Sequence, residues 1–252
     1  MKKLSVVGLV LILSLLLAAC GGGKEDAKNK EYKVGVDTTY PPFEFEENGK
    51  QKGIDIDLIT EIAKKEGFKI KLEPMDFKGI IPALQANELD IAIAGMSITE
   101  ERKKVVDFSD PYFKAGLTLV VAKNNNNITT PDDLKGKTIA VKKGTTGAKF
   151  AEDLAKKKNA KVVQFNDSPS MFQEVANGNA DVLIEDYPVV AYAIAQKDLG
   201  LKIVGDRLNG DQYGIAVLKG ENEEVLKKIN KGLKDLKKSG KYDEIVKKYL
   251  KE

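Results

Sequence analysis

The stretch ALQANELDIAIAGMSITEERKKVVDFS, residues 83–109, decides the fold. It begins with the end of a short helical pattern and continues into an apolar run, 90–95, that is typical of a strand buried on both faces. A glycine and small polar residues follow at once. In open α/β sheets, ligands bind beyond the carboxyl ends of the strands, so this junction is a candidate site.

The residues after the strand predict an anion receptor. Ser97 and Glu100 have the spacing of a capping box, which predicts a helix that begins at Ser97. Arg102 follows one turn later, and a guanidinium beside a helix N-terminus is suited to a carboxylate. The plainer interpretation is that Arg102 is a solvated surface charge.

Strands and helices alternate along the remaining chain, which predicts an α/β fold. Strands are predicted at 32–37, 69–75, 90–95, 116–123, 137–144, 161–165, 180–186 and 201–205, and helices at 55–67, 78–87, 148–158, 170–178 and 188–197. Two amphipathic helices interrupted by Gly240 close the chain.

One sequence pattern occurs in both halves of the chain. Residues 83–95 and 174–186 share a helix end, an asparagine, an acid and a buried strand. Duplication and convergence both explain such a pattern. In either case each half supplies a strand whose carboxyl end carries small or charged residues, Gly95-Met96-Ser97 in one half and Glu185-Asp186 in the other. If these two strand ends face each other, they form a cleft.

The N-terminus predicts export. Residues 1–19 carry two lysines, a short apolar run and small residues, as in a secretory signal peptide. The residues around Cys20 resemble the lipobox of bacterial lipoproteins, in which the cysteine is lipid-modified. Residues 20–31 have the composition of a flexible tether. We therefore expect an extracytoplasmic protein anchored to the cell membrane.

Composition excludes several classes of function. The chain has no histidine and one cysteine, which excludes Ser-His and Cys-His catalysis and thiolate or imidazole metal sites. Its 41 basic and 38 acidic residues alternate, which gives little support to nucleic-acid binding. The loop KKGTTG, 142–147, lacks the spacing of a nucleotide-binding loop. We expect neither a metal nor a cofactor.

Several stretches together resemble the polar amino-acid-binding proteins of bacterial ABC importers, with the glutamine-binding members nearest. They are VDTTYPPFEF, GIDIDLITEIAKKEG, residues 75–113, VKKGTTG and DYPVVAYAI. The resemblance implies a type II periplasmic-binding-protein fold with two discontinuous lobes, 32–114 with 212–252 and 115–211, joined by two hinge strands near 112–116 and 209–213. It also implies a monomer whose partners are an amino acid and a membrane permease.

The resemblance assigns roles to individual residues. Arg102 matches the arginine that grips the ligand's α-carboxylate, while Gly95 and Asp186 match acceptors for its α-ammonium. The other matching positions are Ser97 and Thr146 beside the carboxylate, Tyr40 and Phe77 as aromatic walls, and Asp37 with Lys142 at the far end of the side chain. Thr145 is a further predicted ligand-binding residue. Taken singly, Asp37 could cap the turn before Pro41, Phe77 could be core and Asp186 could cap a helix. Glu185 is a possible further ligand residue.

The Asp37–Lys142 pair favours glutamine, because a carboxylate and an ammonium together satisfy an amide. Glutamate would meet a like charge at Asp37, and arginine or lysine at Lys142, which costs several kcal/mol in a closed cleft. Arginine stays open as an alternative, since Tyr40 and Glu185 suit a guanidinium. A cyclohexadienyl-dehydratase-like enzyme on the same fold is the alternative from another class, with Glu185 as the spare acid.

Overall fold

The computed structural model describes residues 30–250, so the predicted signal peptide, Cys20 and nearly all of the tether lie outside the described residues. The helices of this part are α1 (Ile54–Glu66), α2 (Phe77–Gln85), α3 (Thr146–Lys158), α4 (Ser168–Ala176), α5 (Tyr187–Gln196), α6 (Glu223–Ser239) and α7 (Lys241–Tyr249). None of them is long and apolar enough to span a membrane.

The fifteen strands that the described residues form are short. They are β1 (Glu31–Val36), β2 (Thr39–Tyr40), β3 (Glu44–Glu47), β4 (Lys50–Lys52), β5 (Lys69–Pro74), β6 (Ile91–Ala92), β7 (Val106–Phe108), β8 (Phe113–Lys114), β9 (Leu117–Ala122), β10 (Thr138–Lys142), β11 (Lys161–Phe165), β12 (Val182–Asp186), β13 (Leu201–Val204), β14 (Gln212–Tyr213) and β15 (Ala216–Leu218).

Two five-stranded sheets organise the chain, with strand orders β5-β1-β6-β15-β7 and β11-β10-β12-β9-β13. In each sheet the first three strands are parallel with the earliest in the middle, and the fourth strand in the order, β15 or β9, runs antiparallel. The two segments that share this sequence pattern, 83–95 and 174–186, therefore end in β6 and β12, and each of these strands is third in the order of its sheet. The predicted two-lobed α/β fold is confirmed.

A two-stranded ribbon links the sheets. Strand β8 pairs with β14, with Phe113 opposite Tyr213. Since β8 leads from the first sheet to the second and β14 leads back, the ribbon contains both crossings. We propose on this basis that 32–114 with 212–252 form lobe 1 and that 115–211 form lobe 2.

The helices form where apolar periodicity and end signals agree. Helix α1 buries Leu58, Ile59 and Ile62 on one face and ends at Gly67, whose φ of 69° suits a residue without a Cβ. Gly232 in α6 allows close packing on α1, because a Cβ there would lie 2.8 Å from an atom of Ile62. Helices α1 and α6 therefore pack closely against each other in lobe 1.

The lobes are in contact across the cleft between them. Lys78 of lobe 1 donates to the Asn166 side chain of lobe 2 at 3.1 Å. A Cβ on Gly144 would lie 3.1 Å from the Cα of Lys78, so the backbones approach closely at this point. The arrangement is closed.

Candidate ligand-binding cleft

Nine of the ten predicted ligand residues line one small space between the lobes. Lobe 1 supplies Tyr40, Phe77, Gly95, Ser97 and Arg102, and lobe 2 supplies Lys142, Thr145, Thr146 and Asp186. The tenth, Asp37, joins this set through Lys142. Residues far apart in the sequence therefore converge where the carboxyl ends of β6, β10 and β12 face each other.

Arg102 bridges the two lobes. Its guanidinium donates to the carbonyl of Ser97 at 2.7 Å and to the carbonyl of Gly144, in lobe 2, at 3.0 Å. The guanidinium carbon also lies 5.3 Å from the centre of the Phe77 ring. Burial lowers the pKa of Arg102 from its usual value, and the nearby Asp186 and Asp211 carboxylates oppose this shift. An arginine side chain has five N–H donors, so two bonds to carbonyls leave donors for a carboxylate.

The helix predicted to begin at Ser97 is wrong. Ser97 forms an isolated antiparallel bridge with Tyr213, and the Ile98 amide donates to the Gln212 carbonyl at 2.8 Å. This pairing with the second crossing holds the chain extended, and a short 3-10 helix forms only at Arg102–Lys104. Thr99, not Ser97, accepts the Arg102 amide, at 3.1 Å.

Asp186 presents a buried carboxylate to the cleft. Its Oδ2 accepts from the hydroxyls of Tyr40 at 2.7 Å and Tyr213 at 2.6 Å. Its Oδ1 is buried and has no hydrogen-bond partner within residues 30–250. Burial, followed by the neighbouring Glu185 charge, raises the pKa of Asp186 to about 7. An acceptor left unpaired in a desolvated site favours a ligand that brings a hydrogen-bond donor.

Glu185 faces the protein and does not line the cleft. One oxygen accepts from the Ser168 hydroxyl at 2.8 Å, and the other accepts from the Asp186 amide at 2.8 Å and lies 3.0 Å from the Tyr40 hydroxyl. Burial raises the pKa of Glu185, and Lys142 opposes that effect. The side chain thus supports Tyr40 and Asp186 from behind.

Lys142 lies between the aromatic walls. Its ammonium is 4.7 Å from the centre of the Tyr40 ring and 6.0 Å from that of Phe77, and it pairs with Asp37 Oδ2. Lys142 is 1% exposed and Asp37 is 2% exposed, so this ion pair is shielded from water. The other Asp37 oxygen accepts the Thr38 and Thr39 amides, which shows that Asp37 caps the turn before Pro41 as well.

The threonines belong to the start of α3. Thr145 is the N-cap, because its hydroxyl oxygen accepts the Ala148 amide at 3.1 Å, and it donates to the Lys142 carbonyl at 2.8 Å. Thr146 is the first helical residue. The amide end of α3 therefore faces the cleft from lobe 2, where its partial positive charge complements an anion.

The space that these residues enclose measures about 10 Å³. A volume of this size holds about one water molecule. An amino acid therefore enters only if the lobes separate and the Lys142 side chain moves. A larger depression of about 820 Å³ lies against β7 and α6 outside the cleft, and it contains none of the ten predicted residues.

Three residues of the site were not predicted as ligand-binding residues from the sequence. Tyr213 and Ser168 hold the carboxylates, and Gly144 supplies a carbonyl to Arg102. The sequence signal for Tyr213 was its place in the predicted second crossing. Ser168 looked like an ordinary residue near a helix start, and only the fold brings it to Glu185.

Comparison with known proteins agrees with this geometry. The bacterial extracellular solute-binding proteins, family 3, match residues 32–252. The probable amino-acid-binding protein YxeM of Bacillus subtilis (strain 168) is 32% identical over 255 residues, which cover 100% of this chain and 96% of YxeM.

Two solved structures are similar as well. An ancestral arginine-binding protein bound to arginine is 49% identical with a TM-score of 0.83, over 87% of this chain and 98% of that chain. An ancestral arginine-binding protein bound to glutamine is 49% identical with a TM-score of 0.82, over 88% and 98%. Because the family match spans all but the first 31 residues, this chain belongs to the bacterial extracellular solute-binding proteins of family 3.

Proposed function

We propose that this protein captures a free polar L-amino acid between its lobes and delivers it to the membrane permease of an ABC importer. One observation carries the proposal. Arg102 of lobe 1 and Asp186 of lobe 2 border the same enclosed space, and Asp186 Oδ1 has no hydrogen-bond partner among the described residues, so a cation and an anion are available for an α-carboxylate and an α-ammonium.

Glutamine is the ligand that the far end of the cleft favours. Its amide can donate to Asp37 and accept from Lys142, so that each buried charge keeps a hydrogen-bonding partner. Leaving one buried charge without a partner costs about 3–5 kcal/mol, which disfavours a ligand that pairs with only one of them.

Arginine is the second candidate, and a specific observation favours it. The ammonium of Lys142 occupies a position between two aromatic rings and beside a carboxylate, which is a cation site. A guanidinium could take that position if Lys142 swung towards Glu185, since Lys142 already opposes the rise that burial causes in the pKa of Glu185. The two similar solved structures, an ancestral arginine-binding protein bound to arginine and one bound to glutamine, are consistent with either ligand.

Closure of the lobes is the proposed capture step. An open cleft admits the ligand, Arg102 and the N-terminus of α3 hold its carboxylate, and Asp186 holds its ammonium. The contacts of Arg102 with Gly144 and of Tyr40 with Asp186 join the lobes and stabilise the closed form. The closed lobes together then form the surface that the permease recognises.

We propose an extracytoplasmic monomer, anchored through lipidated Cys20, that needs neither metal nor cofactor. The export signal and lipobox support the location, and the family is an extracellular one. We also propose that the protein is not an enzyme. A dehydratase needs an acid aimed at the substrate. In the candidate acid Glu185, one oxygen accepts from the Ser168 hydroxyl and the other accepts from the Asp186 amide.

Titration calorimetry tests the proposal directly. The purified protein is unfolded and refolded to remove bound ligand, then titrated with glutamine, arginine, lysine, histidine and glutamate. We expect tight binding of glutamine, with arginine at least tenfold weaker, which is about 1.4 kcal/mol. The reverse order would assign arginine. Failure of all five would reject amino-acid capture, and turnover of prephenate or arogenate would then establish the enzymatic alternative.

A further inference from the structure

Two acids are buried beneath the cleft without a cation partner. Glu44 begins β3 and Asp55 lies in the first turn of α1, and both are 0% exposed. Among the described residues neither takes part in an ion pair. A buried acid of this kind needs a hydrogen-bonding partner or a bound proton, so the pair requires a physical explanation.

The two acids are close together in the fold, because the Asp55 amide donates to the carbonyl of Phe43, the residue before Glu44, at 2.9 Å. Burial raises the pKa of Glu44 well above its usual range, and the Asp55 and Asp37 charges add to that effect. Lys142 acts in the opposite direction, but its effect is smaller. Burial raises the pKa of Asp55 to about 6, against the bonds it accepts from Gly95 and Tyr112. These directions favour a proton on Glu44, whose carboxyl would then donate to the Asp55 carboxylate.

Asp55 uses its charge to hold two groups of the cleft and hinge. Its Oδ2 accepts from the backbone amide of Gly95 at 2.8 Å and from the hydroxyl of Tyr112 at 2.8 Å. Its Oδ1 and both Glu44 oxygens are buried and accept no hydrogen bond from any group among the described residues. A proton on Glu44 would supply the donor that the remaining Asp55 oxygen lacks.

Both held groups lead to the predicted ammonium acceptors. Gly95 lines the cleft, and a Cβ there would lie 2.7 Å from an atom of the Tyr40 ring. Tyr112 donates its amide to the Tyr213 carbonyl at 2.9 Å. The hydroxyls of Tyr40 and Tyr213 in turn fix Asp186. The acid pair therefore supports Gly95 directly, and it supports Asp186 indirectly through the hydroxyls of Tyr40 and Tyr213.

We propose that Glu44 and Asp55 are positioning residues that share one proton, lock the Gly95 amide and the Tyr112 hydroxyl, and thereby place the groups that recognise the ligand's α-ammonium. This inference rests on the proposed function. Glu44 and Asp55 do not line the cleft, so they act through other residues. Their loss should weaken recognition of the ligand's α-ammonium and leave recognition of its side chain unchanged.

The test compares L-glutamine with 4-carbamoylbutanoate, which lacks only the α-ammonium. Glu44→Gln keeps a neutral donor to Asp55, and Glu44→Met is of similar length without one. We expect E44Q to keep the wild-type preference for glutamine within about threefold. E44M should reduce that preference at least tenfold and change the affinity for 4-carbamoylbutanoate less than threefold. Equal losses for both ligands in E44M would overturn the inference, because a general structural defect weakens both.

A second measurement needs no ligand. Asp55→Ala removes the acceptor of the Gly95 amide, so amide hydrogen exchange at Gly95 should accelerate at least tenfold relative to the Ala92 amide in β6. Unchanged exchange would overturn the inference even if E44M fails to fold. Glu66→Gln is the matched control, because Glu66 pairs with Lys231 away from the cleft. Wild-type protein that binds no amino acid would reject the proposed function, and the exchange result would still test the acid pair.

Discussion

Ligand binding should weaken as the pH falls from 8 to 6. Asp186 has a pKa raised to about 7, chiefly by burial and then by Glu185. A ligand ammonium needs the ionised carboxylate, so it competes with the proton that Asp186 takes up below this pKa. The α-carboxylate and α-ammonium of the ligand keep their charges over this range. Binding should therefore release a proton.

The magnitude follows from the pKa. If only the ionised form binds, the apparent Kd is multiplied by about 1.1 at pH 8, about 2 at pH 7 and about 11 at pH 6. The affinity should thus fall about tenfold between pH 8 and pH 6, which is about 1.4 kcal/mol. Glu185 and Asp186 share the Tyr40 hydroxyl, so the titration belongs to the pair. The other titratable groups that interact with Asp186 by charge or by hydrogen bonding are Tyr213, Asp211 and Arg102.

Calorimetry in two buffers of different ionisation enthalpy measures both quantities. We expect about half a proton to be released per ligand at pH 7. Glu185→Gln keeps an acceptor oxygen for Tyr40 but removes the neighbouring charge, so its affinity should fall less at pH 6. A flat profile between pH 8 and 6 without proton release would refute the assignment of Asp186 to the ammonium.

Three substitutions test the remaining contacts. Arg102→Lys keeps a charge but loses the forked donors, so glutamine affinity measured by calorimetry should fall at least a hundredfold, about 2.7 kcal/mol; an unchanged Kd would place the carboxylate elsewhere. Lys142→Met removes the cation between the aromatic walls and should raise arginine affinity relative to glutamine at least tenfold, whereas Lys143→Met should leave the ratio unchanged; equal ratios in both variants would exclude Lys142 from specificity. Gly95→Ala places a Cβ 2.7 Å from an aromatic carbon at a φ of 51°, so binding should fall more than tenfold and the Tm should drop. Gly49→Ala, with a φ of 73° and open space, should lower the Tm without weakening glutamine binding; equal affinities in the two glycine variants would contradict the steric argument.

The helices and central strands were predictable because their signals are local. The predicted helix 55–67 and the observed Ile54–Glu66 differ by one residue at each end, and the strand 161–165 agrees with β11. Apolar periodicity and end residues such as Gly67 carry this information. Within the predicted strand 90–95 the regular strand covers Ile91–Ala92, although the Ile93 amide still donates to the Gly35 carbonyl of β1 at 3.1 Å and Ile93 and Ala94 stay buried.

The short strands were not predictable from apolar pattern. Strands β3 and β4 are rich in charged residues because they lie at the surface, and the Asn48-Gly49 turn between them was the signal that could have revealed the hairpin. Strands β8 and β14 contain two residues each, too few for periodicity. They form because the two crossings meet, which is a property of the whole fold.

The same distinction holds for the site. Nine predicted residues converge on one space because a family motif encodes positions that the fold brings together. The capping box at Ser97 was wrong because long-range pairing with Tyr213 outcompetes a local helix start. The Glu44–Asp55 pair was missed because acids in a charged stretch indicate exposure, and only the tertiary structure buries them.

A crystal structure of the protein grown with L-glutamine tests the central claim most directly. We predict that the ligand lies between the lobes with its carboxylate bonded to Arg102, its ammonium within 3.2 Å of Asp186 Oδ1, and Lys142 displaced from its position between Tyr40 and Phe77. A ligand bound elsewhere, or one in the cleft with its ammonium away from Asp186, would contradict the account.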